Sequence, residues 1–395
     1  MEHDFIQPLY DAGGFACLPQ RISEFLSANR YDAVVLFLID GFGWRFFEKF
    51  QGTPFLQQTV RSGTVARLTS QFPSTTAAHL TTIHTGMPVG EHGIFEWYYF
   101  EPVLDEVIAP LLYSFAGTSQ RDTLKPAGAK KSLLFPAANF YRPLKQQGVA
   151  TTIFQHREYT PSTYSDVLFK GAKAIGYRTL AEALVNLAGR LTETKPPAYF
   201  FFYFDRIDAI SHEYGPDSAQ TTAEILVFLM TMEYIFMKSL AGNRKKILFL
   251  LTADHGQVEI DPQTTIYLNR DPAFAGIDKY LKRNRNGELI VPAGSARDFF
   301  LYIKPESLDE AQAFLARRLA GRADVRKVSD LVQTGHFGPR ISPRFRARAG
   351  DLVILPYRGE SVWWFERDKF EQKFYGHHGG LTKAEMEIPL VTWEM

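Results

Sequence analysis

Three short, almost unbroken apolar runs, Ala33–Ile39, Ala198–Phe204 and Lys246–Thr252, each lead into acids: Asp40 after the first, Asp205 and Asp208 after the second, Asp254 with His255 after the third. Apolar runs of this length, bounded by polar or Gly/Pro punctuation, are how strands buried on both faces of a parallel sheet read. Val149–Phe154 is a fourth such run. Between them, Thr179–Leu191 and Ala219–Leu240 place apolar residues three and four apart, which predicts helices packed on the sheet. Strands alternating with helices predict an α/β fold, with a mostly parallel central sheet flanked by helices on both faces. In such sheets ligands bind beyond the carboxyl ends of the strands, so the acids that follow the runs are expected to converge there.

The 395 residues are read as one catalytic domain, 1–395, with residues 257–350 as an insertion or cap. Over that stretch the pattern loosens into basic and polar segments such as KYLKRNRNGE and GPRISPRFRARAG, around a further strand-like run at Phe299–Ile303. A closing strand is expected after His377 and His378. Lys+Arg 44 against Asp+Glu 43 gives a net charge of +1, which provides no electrostatic footprint for nucleic acid. No window approaches the ~20 apolar residues that span a bilayer. The N-terminal MEHDFIQPLYDAGG lacks the basic and apolar regions of a leader, and the single Cys17 has no internal partner. A cytoplasmic protein without a membrane partner, binding its ligand in a local pocket, is the expectation.

Asp208 and His212, four apart, share a face if the segment is helical, where they could form a surface ion pair or hold a cation. Asp254-His255-Gly256 directly follows a strand, where Gly256 can allow a backbone angle that turns both side chains to one ion; an ordinary polar loop is the alternative. His377 and His378 offer imidazole, with His378 preferred from the pattern of the other motifs. In FPSTTAAHLTTIHTG, Pro73 precedes a helix start that Ser74 or Thr75 can cap. A hydroxyl there would meet backbone N–H groups and the positive end of a helix dipole, which favour an alkoxide and an incoming phosphate. Asp40, Asp208 and Asp254 would repel one another if gathered without cations. Together these segments read as a two-metal site for phosphoryl transfer.

The order Asp-Gly, P-S-T-T at a helix start with T-G and E-H-G-I downstream, D-x-x-x-H-x-x-G-P, D-H-G and H-G-G resembles the alkaline phosphatase superfamily, and most closely its nucleotide pyrophosphatase/phosphodiesterase branch. The similarity runs from about Val34 to Pro389, with 257–350 contributing little. It implies that Asp208, His212 and His378 hold one divalent ion and Asp40, Asp254 and His255 the other, zinc in both cases with manganese as the alternative. Thr76 would be the nucleophile touching the second ion, with Thr75 as its rival. The activity implied is hydrolysis of phosphodiester or pyrophosphate bonds through a phospho-threonine intermediate, on a small phosphate ester such as a nucleotide.

Where the branch carries Phe-Pro-Asn after its nucleophile, this chain has Ala77, Ala78 and His79. His79 could take over the Asn hydrogen bond to a phosphoryl oxygen, or pack on the helix beside His84. His92 in E-H-G-I is read as structural, and Phe42, Trp44 and Phe95–Tyr99 as core or as walls of a leaving-group pocket. A phosphomonoesterase or phosphonate hydrolase with the same metals is the alternative, and a non-catalytic metal-binding protein the third reading. The Cys/Ser-x-Pro-x-Arg signature of sulfatases is missing.

Overall fold

The computed structural model describes residues 4–28 and 30–395; residues 1–3 of the N-terminal stretch read for a leader lie outside them. The strands of its two larger sheets, in chain order, are β1 Ala33–Ile39, β2 Gly63–Thr69, β3 Ala150–His156, β4 Lys173–Tyr177, β5 Ala198–Phe204, β6 Ile247–Thr252, β7 Ala293–Ser295, β8 Asp298–Leu301, β9 Ala323–Lys327, β10 Leu352–Pro356 and β11 Glu387–Glu394. The helices that matter below are α1 Leu18–Ser27, α2 Thr76–Thr85, α3 Leu180–Glu193, α4 Arg206–Tyr214, α5 Ala219–Thr231 and α6 Leu308–Arg318.

Seven strands form the central sheet in the order β2-β11-β6-β1-β5-β3-β4. Among β6, β1, β5, β3 and β4 every pairing is parallel, and β11 runs antiparallel to both β2 and β6. Every residue of β1, β5 and β6 is buried, as their unbroken apolar sequences require. Side chains of β5 alternate between faces. Phe204 stacks on Phe228 of α5 at 5.1 Å, whereas Phe201 meets His84 of α2 edge-on at 5.1 Å, so the aromatic run of β5 binds helices on both sides. Phe37 of β1 lies between Phe202 and Phe249, each 4.7 Å away, which ties the three central strands through one aromatic layer.

The edge strands β2 and β4 escape the apolar-run criterion because they are half exposed: GTVARLT and KAIGY mix polar residues into every position class. Among the described residues no helix is long and apolar enough to cross a membrane.

A second sheet, ordered β7-β8-β10-β9 and antiparallel throughout, carries its own apolar cluster between Leu268 and Trp364. Leu315 of α6, Phe299 of β8 and Ile354 of β10 belong to it. This unit is tied to the site side of the main sheet by a buried ion pair. Arg297 Nε and Nη2 donate to the two Glu385 carboxylate oxygens at 3.0 and 2.9 Å, with both side chains fully inaccessible. Glu385 also accepts from the N–H groups of Gly380 and Thr382 and from the Thr382 hydroxyl, so its charge is compensated on several sides. Removing one member of such a pair strands the other charge in a dry interior. Arg297→Met is expected to lower unfolding free energy by about 3–5 kcal/mol, read from the denaturant midpoint. Adding Glu385→Leu should recover part of that loss, and a single-variant cost below about 1 kcal/mol would show the pair is not buried as described.

Candidate metal and nucleophile site

β6, β1 and β5 are neighbours at the centre of the sheet, so the residues following their C-termini meet within a few strand spacings. Asp40 directly follows β1, and its N–H continues the ladder to the Phe204 carbonyl at 2.8 Å. The next residue, Gly41, has φ +70°, and a Cβ there would stand 3.1 Å from the Asp208 side chain; only glycine allows that approach. Asp208 lies in the first turn of α4 and His212 in its last, on one face, with His212 Nε2 3.2 Å from Asp208 Oδ2. Asp254 and His255 follow β6. Gly256 is required there by crowding rather than by backbone angle: its φ is not left-handed, but a Cβ would stand 2.2 Å from the Ala384 carbonyl oxygen.

α2 begins at Thr76, with Thr75 as an extended N-cap whose side chain makes no capping bond. The Thr76 hydroxyl lies 3.4 Å from each Asp40 carboxylate oxygen and 3.2 Å from His255 Nε2. His255 Nε2 is also 3.3 Å from Asp40 Oδ1 and 3.5 Å from Asp254 Oδ2, and His378 Nε2 is 3.8 Å from Asp208 Oδ1. The sequence-selected residues Asp40, Thr76, Asp208, His212, Asp254, His255 and His378 are thus brought to one place.

All three imidazoles are oriented alike. His212 Nδ1 donates to the Gly376 carbonyl at 2.7 Å, His378 Nδ1 to the Ser74 carbonyl at 2.9 Å and His255 Nδ1 to the Gly256 carbonyl at 3.2 Å. Each therefore presents Nε2 to the carboxylates, the arrangement that fixes the tautomer of a metal-ligating histidine. Ligand atoms within 4.8 Å of one another fall into two groups, Asp40 with Asp254 and His255, and Asp208 with His255 and His378. The resemblance assigns His212 to the second group. In the structure His255 reaches both, its ring stacked on that of His378 at 3.6 Å, while His212 flanks Asp208.

Burial pushes the Asp40 carboxyl well above the usual range, and the charges of Asp254 and Asp208 add to it; Asp254 is raised too, chiefly by burial. Burial would also raise Asp208, but His212, then His378 and His255, outweigh it and hold the carboxyl below its ordinary value. His378 is pushed well down by burial and by His255, which favours the neutral, ligand form. Asp254 Oδ2 is inaccessible and has no hydrogen-bond partner among the described residues. A buried carboxylate oxygen without a donor, facing carboxylates and outward-turned imidazole nitrogens, suits divalent cations with mixed N and O ligands.

Several sequence-selected residues do other work. His79 is fully buried, and both its ring nitrogens are committed. Nδ1 donates to the Thr75 carbonyl at 2.7 Å, and Nε2 accepts the Gln71 N–H at 2.9 Å and lies 2.8 Å from the Ser70 hydroxyl. No N–H remains for a phosphoryl oxygen, so His79 is a positioning residue that ties the N-cap of α2 to the Ser70-Gln71 turn. Ser70 in turn donates to the Asp254 carbonyl at 2.6 Å. Asp205 accepts from the Tyr159 hydroxyl, and His92 is buried against Thr82 of α2. Phe42, Phe95 and Tyr99 are core, whereas Trp97 and Tyr98 line a cavity. Missed by the sequence reading is Tyr203, whose hydroxyl donates to Asp40 Oδ2. Its place in an aromatic strand gave no signal beyond its hydroxyl.

Two cavities open on either side of Thr76 and Asp208, with Trp97 bordering both. The larger, about 550 Å³, is bordered by Glu96, Trp363 and Gln372; the smaller, about 190 Å³, by Arg121, Tyr159 and Asp40.

Residues 34–381 match the family model of type I phosphodiesterase / nucleotide pyrophosphatase. No curated protein matches the chain. Among solved structures, murine ectonucleotide pyrophosphatase / phosphodiesterase 5 is similar with a TM-score of 0.66 and 19% identity, covering 91% of this chain and 87% of that one. An inactive threonine-to-alanine form of the murine protein, in complex with AMP, gives the same figures. Phosphonoacetate hydrolase from Sinorhizobium meliloti, in complex with phosphonoformate, is similar with a TM-score of 0.64 and 16% identity, over 92% and 90% of the two chains. At these identities the structures speak for the fold, an alkaline phosphatase-like α/β architecture, while the family match spans most of the chain. The chain belongs to the type I phosphodiesterase / nucleotide pyrophosphatase family, hydrolases of the alkaline phosphatase superfamily.

Proposed function

We propose that the protein hydrolyses phosphodiester or pyrophosphate bonds with two divalent cations and a phospho-threonine intermediate on Thr76. The observation that carries this is the position of the Thr76 hydroxyl: at the first residue of α2, within 3.2–3.4 Å of His255 and Asp40, inside a cluster of carboxylates and outward-facing imidazole nitrogens. Asp40, Asp254 and His255 would hold one ion beside Thr76, and Asp208, His212 and His378 the other, with zinc as the proposed metal and manganese as the alternative. Such ions supply Lewis-acid stabilisation of the attacking and leaving oxygens.

The chain's own groups account for the rest of the chemistry. Thr76 Oγ1, its proton released to solvent, attacks phosphorus while the bond to the leaving oxygen breaks in line and that oxygen takes up a proton from solvent. Water then attacks the same phosphorus, the Thr76 oxygen–phosphorus bond breaks, and a proton given up by the attacking water restores the threonine hydroxyl. The first backbone N–H groups of α2 face the phosphoryl oxygens that accumulate charge. Thr75 is disfavoured as nucleophile, since the hydroxyl that lies against Asp40 and His255 is that of Thr76. The inactive threonine-to-alanine form of the murine relative, solved with AMP, supports both a threonine role and a small phosphate-ester ligand.

A phosphonate hydrolase is the second reading, favoured by Arg121. This residue borders the smaller cavity together with Asp40 and Thr76 and lies over the Tyr159 ring at 5.6 Å, where it could meet a second anionic group on the substrate. Turnover of bis-nitrophenyl phosphate, nitrophenyl phosphate and phosphonoacetate separates the two: diester preference supports the first reading, and phosphonoacetate preference moves the assignment to the second. On the preferred substrate, Thr76→Ala is expected to lose at least about a thousandfold in kcat, whereas Thr75→Ala should stay within about tenfold. Full turnover by Thr76→Ala would remove Thr76 as nucleophile.

A further inference from the structure

Each of the three gathered carboxylates has one oxygen held by a donor of the protein itself. The Tyr203 hydroxyl donates to Asp40 Oδ2, and Gln257 Nε2 donates to Asp208 Oδ1 and, at 3.1 Å, to the Asp208 carbonyl. Both partners of Gln257 Nε2 only accept, which fixes the amide with its NH2 toward Asp208. Asp254 Oδ1 accepts the backbone N–H groups of Gly41 at 3.2 Å and of His255 at 3.0 Å. The other oxygen of each acid faces an imidazole Nε2. Asp40 Oδ1 and Asp254 Oδ2 lie 3.3 and 3.5 Å from that of His255, and Asp208 Oδ2 lies 3.2 Å from that of His212. His378 Nε2 stands farther off, 3.8 Å from Asp208 Oδ1. These rings carry their protons on Nδ1, so both atoms of each close pair present lone pairs, and a cation between them makes the approach favourable.

We propose that Tyr203 and Gln257 are positioning residues that confine Asp40 and Asp208 to ligation through one oxygen each, and that this confinement favours a small four-coordinate ion such as zinc over a six-coordinate one such as manganese. The inference rests on the two-cation reading of the site and concerns which ion that site selects. Two ligand atoms about 2.0–2.1 Å from a tetrahedral zinc ion lie about 3.3–3.4 Å apart. The three close pairs, at 3.2–3.5 Å, have that spacing. Manganese is suited by more ligands, mostly oxygen, and a carboxylate that binds through both of its oxygens supplies one of them. With Asp40 Oδ2 held by Tyr203 and Asp208 Oδ1 held by Gln257, the protein withholds those extra ligands. Both donors are buried, so bulk water does not compete for the two oxygens.

Zinc outcompetes manganese at most sites built of nitrogen and oxygen ligands, so the preference alone decides nothing and its change on substitution is the informative quantity. The test is binding of zinc and, separately, of manganese to the chelated protein, read as bound metal at equilibrium with a buffered free ion. Tyr203→Phe and Gln257→Met keep the bulk of the side chain and delete the donor. Each is expected to weaken zinc binding by about 10–100-fold. Manganese should lose much less, because the released oxygen is a new ligand for it, and the zinc-to-manganese affinity ratio should fall about tenfold. Equal losses for both ions, as a purely structural role would give, or no loss for either, overturn the proposal and leave the two-cation reading standing. Should neither variant fold, cobalt(II) loaded into the unaltered protein reports the same property. The intense visible bands of a four-coordinate ion are expected, and the weak bands of a six-coordinate one overturn the proposal. Unaltered protein that takes up neither zinc nor manganese overturns the two-cation reading and this inference with it.

Discussion

The structure depends on one electrostatic constraint: Asp40, Asp208 and Asp254 are gathered in a nearly dry space at the ends of three adjacent strands. Desolvation and mutual repulsion push Asp40 and Asp254 toward their neutral forms, and only the imidazoles around Asp208 keep that carboxyl ionised. A fold that concentrates like charges in its interior needs opposite charge there. Divalent cations would meet that need, and under the proposed function the same charge would lower the cost of ionising the Thr76 hydroxyl and of building negative charge on a phosphoryl group.

The rest of the scaffold holds this cluster in register through backbone atoms. Ser74, just before α2, is interlocked with the 378–380 loop: its carbonyl accepts His378 Nδ1–H, its hydroxyl donates to the Gly380 carbonyl, and the Gly379 N–H donates to the same hydroxyl. Glu385, bound to Arg297, anchors the far side of that loop through Gly380 and Thr382. On the opposite flank, Ser70 links the Asp254 carbonyl to His79, which in turn holds the Thr75 carbonyl. Helix α2, His378 and the second sheet are thus joined by short polar links, each buried and each geometrically specific. Rigid support of this kind is what the proposed phosphoryl transfer would require, since misplacement by about 1 Å costs orders of magnitude in rate.

Much of this was legible in the sequence because burial on both faces and chemistry at strand ends leave local marks. β1 and β5 are the apolar runs that precede Asp40 and Asp205, and the spacing of Asp208 and His212 is that of one helix face. The edge strands β2 and β4 left no comparable mark, since solvent on one side lets polar residues in. Individual polar roles were less legible. His79 sits where the resemblance leads one to expect a donor to phosphate, yet its two nitrogens are spent on Thr75 and Gln71, contacts set by tertiary geometry. Tyr203 on Asp40 depends on which segments meet across the fold, which no spacing encodes.

The most direct test of the central claim is a titration of the chelated protein with zinc, following bound metal and thermal midpoint together. The account predicts uptake of about two ions per chain, with a rising midpoint, and loss of this uptake when Asp40 and Asp254 are both changed to Asn. A chelated protein that takes up no zinc, or whose stability is indifferent to it, would contradict the claim that the buried carboxylates are there to hold cations.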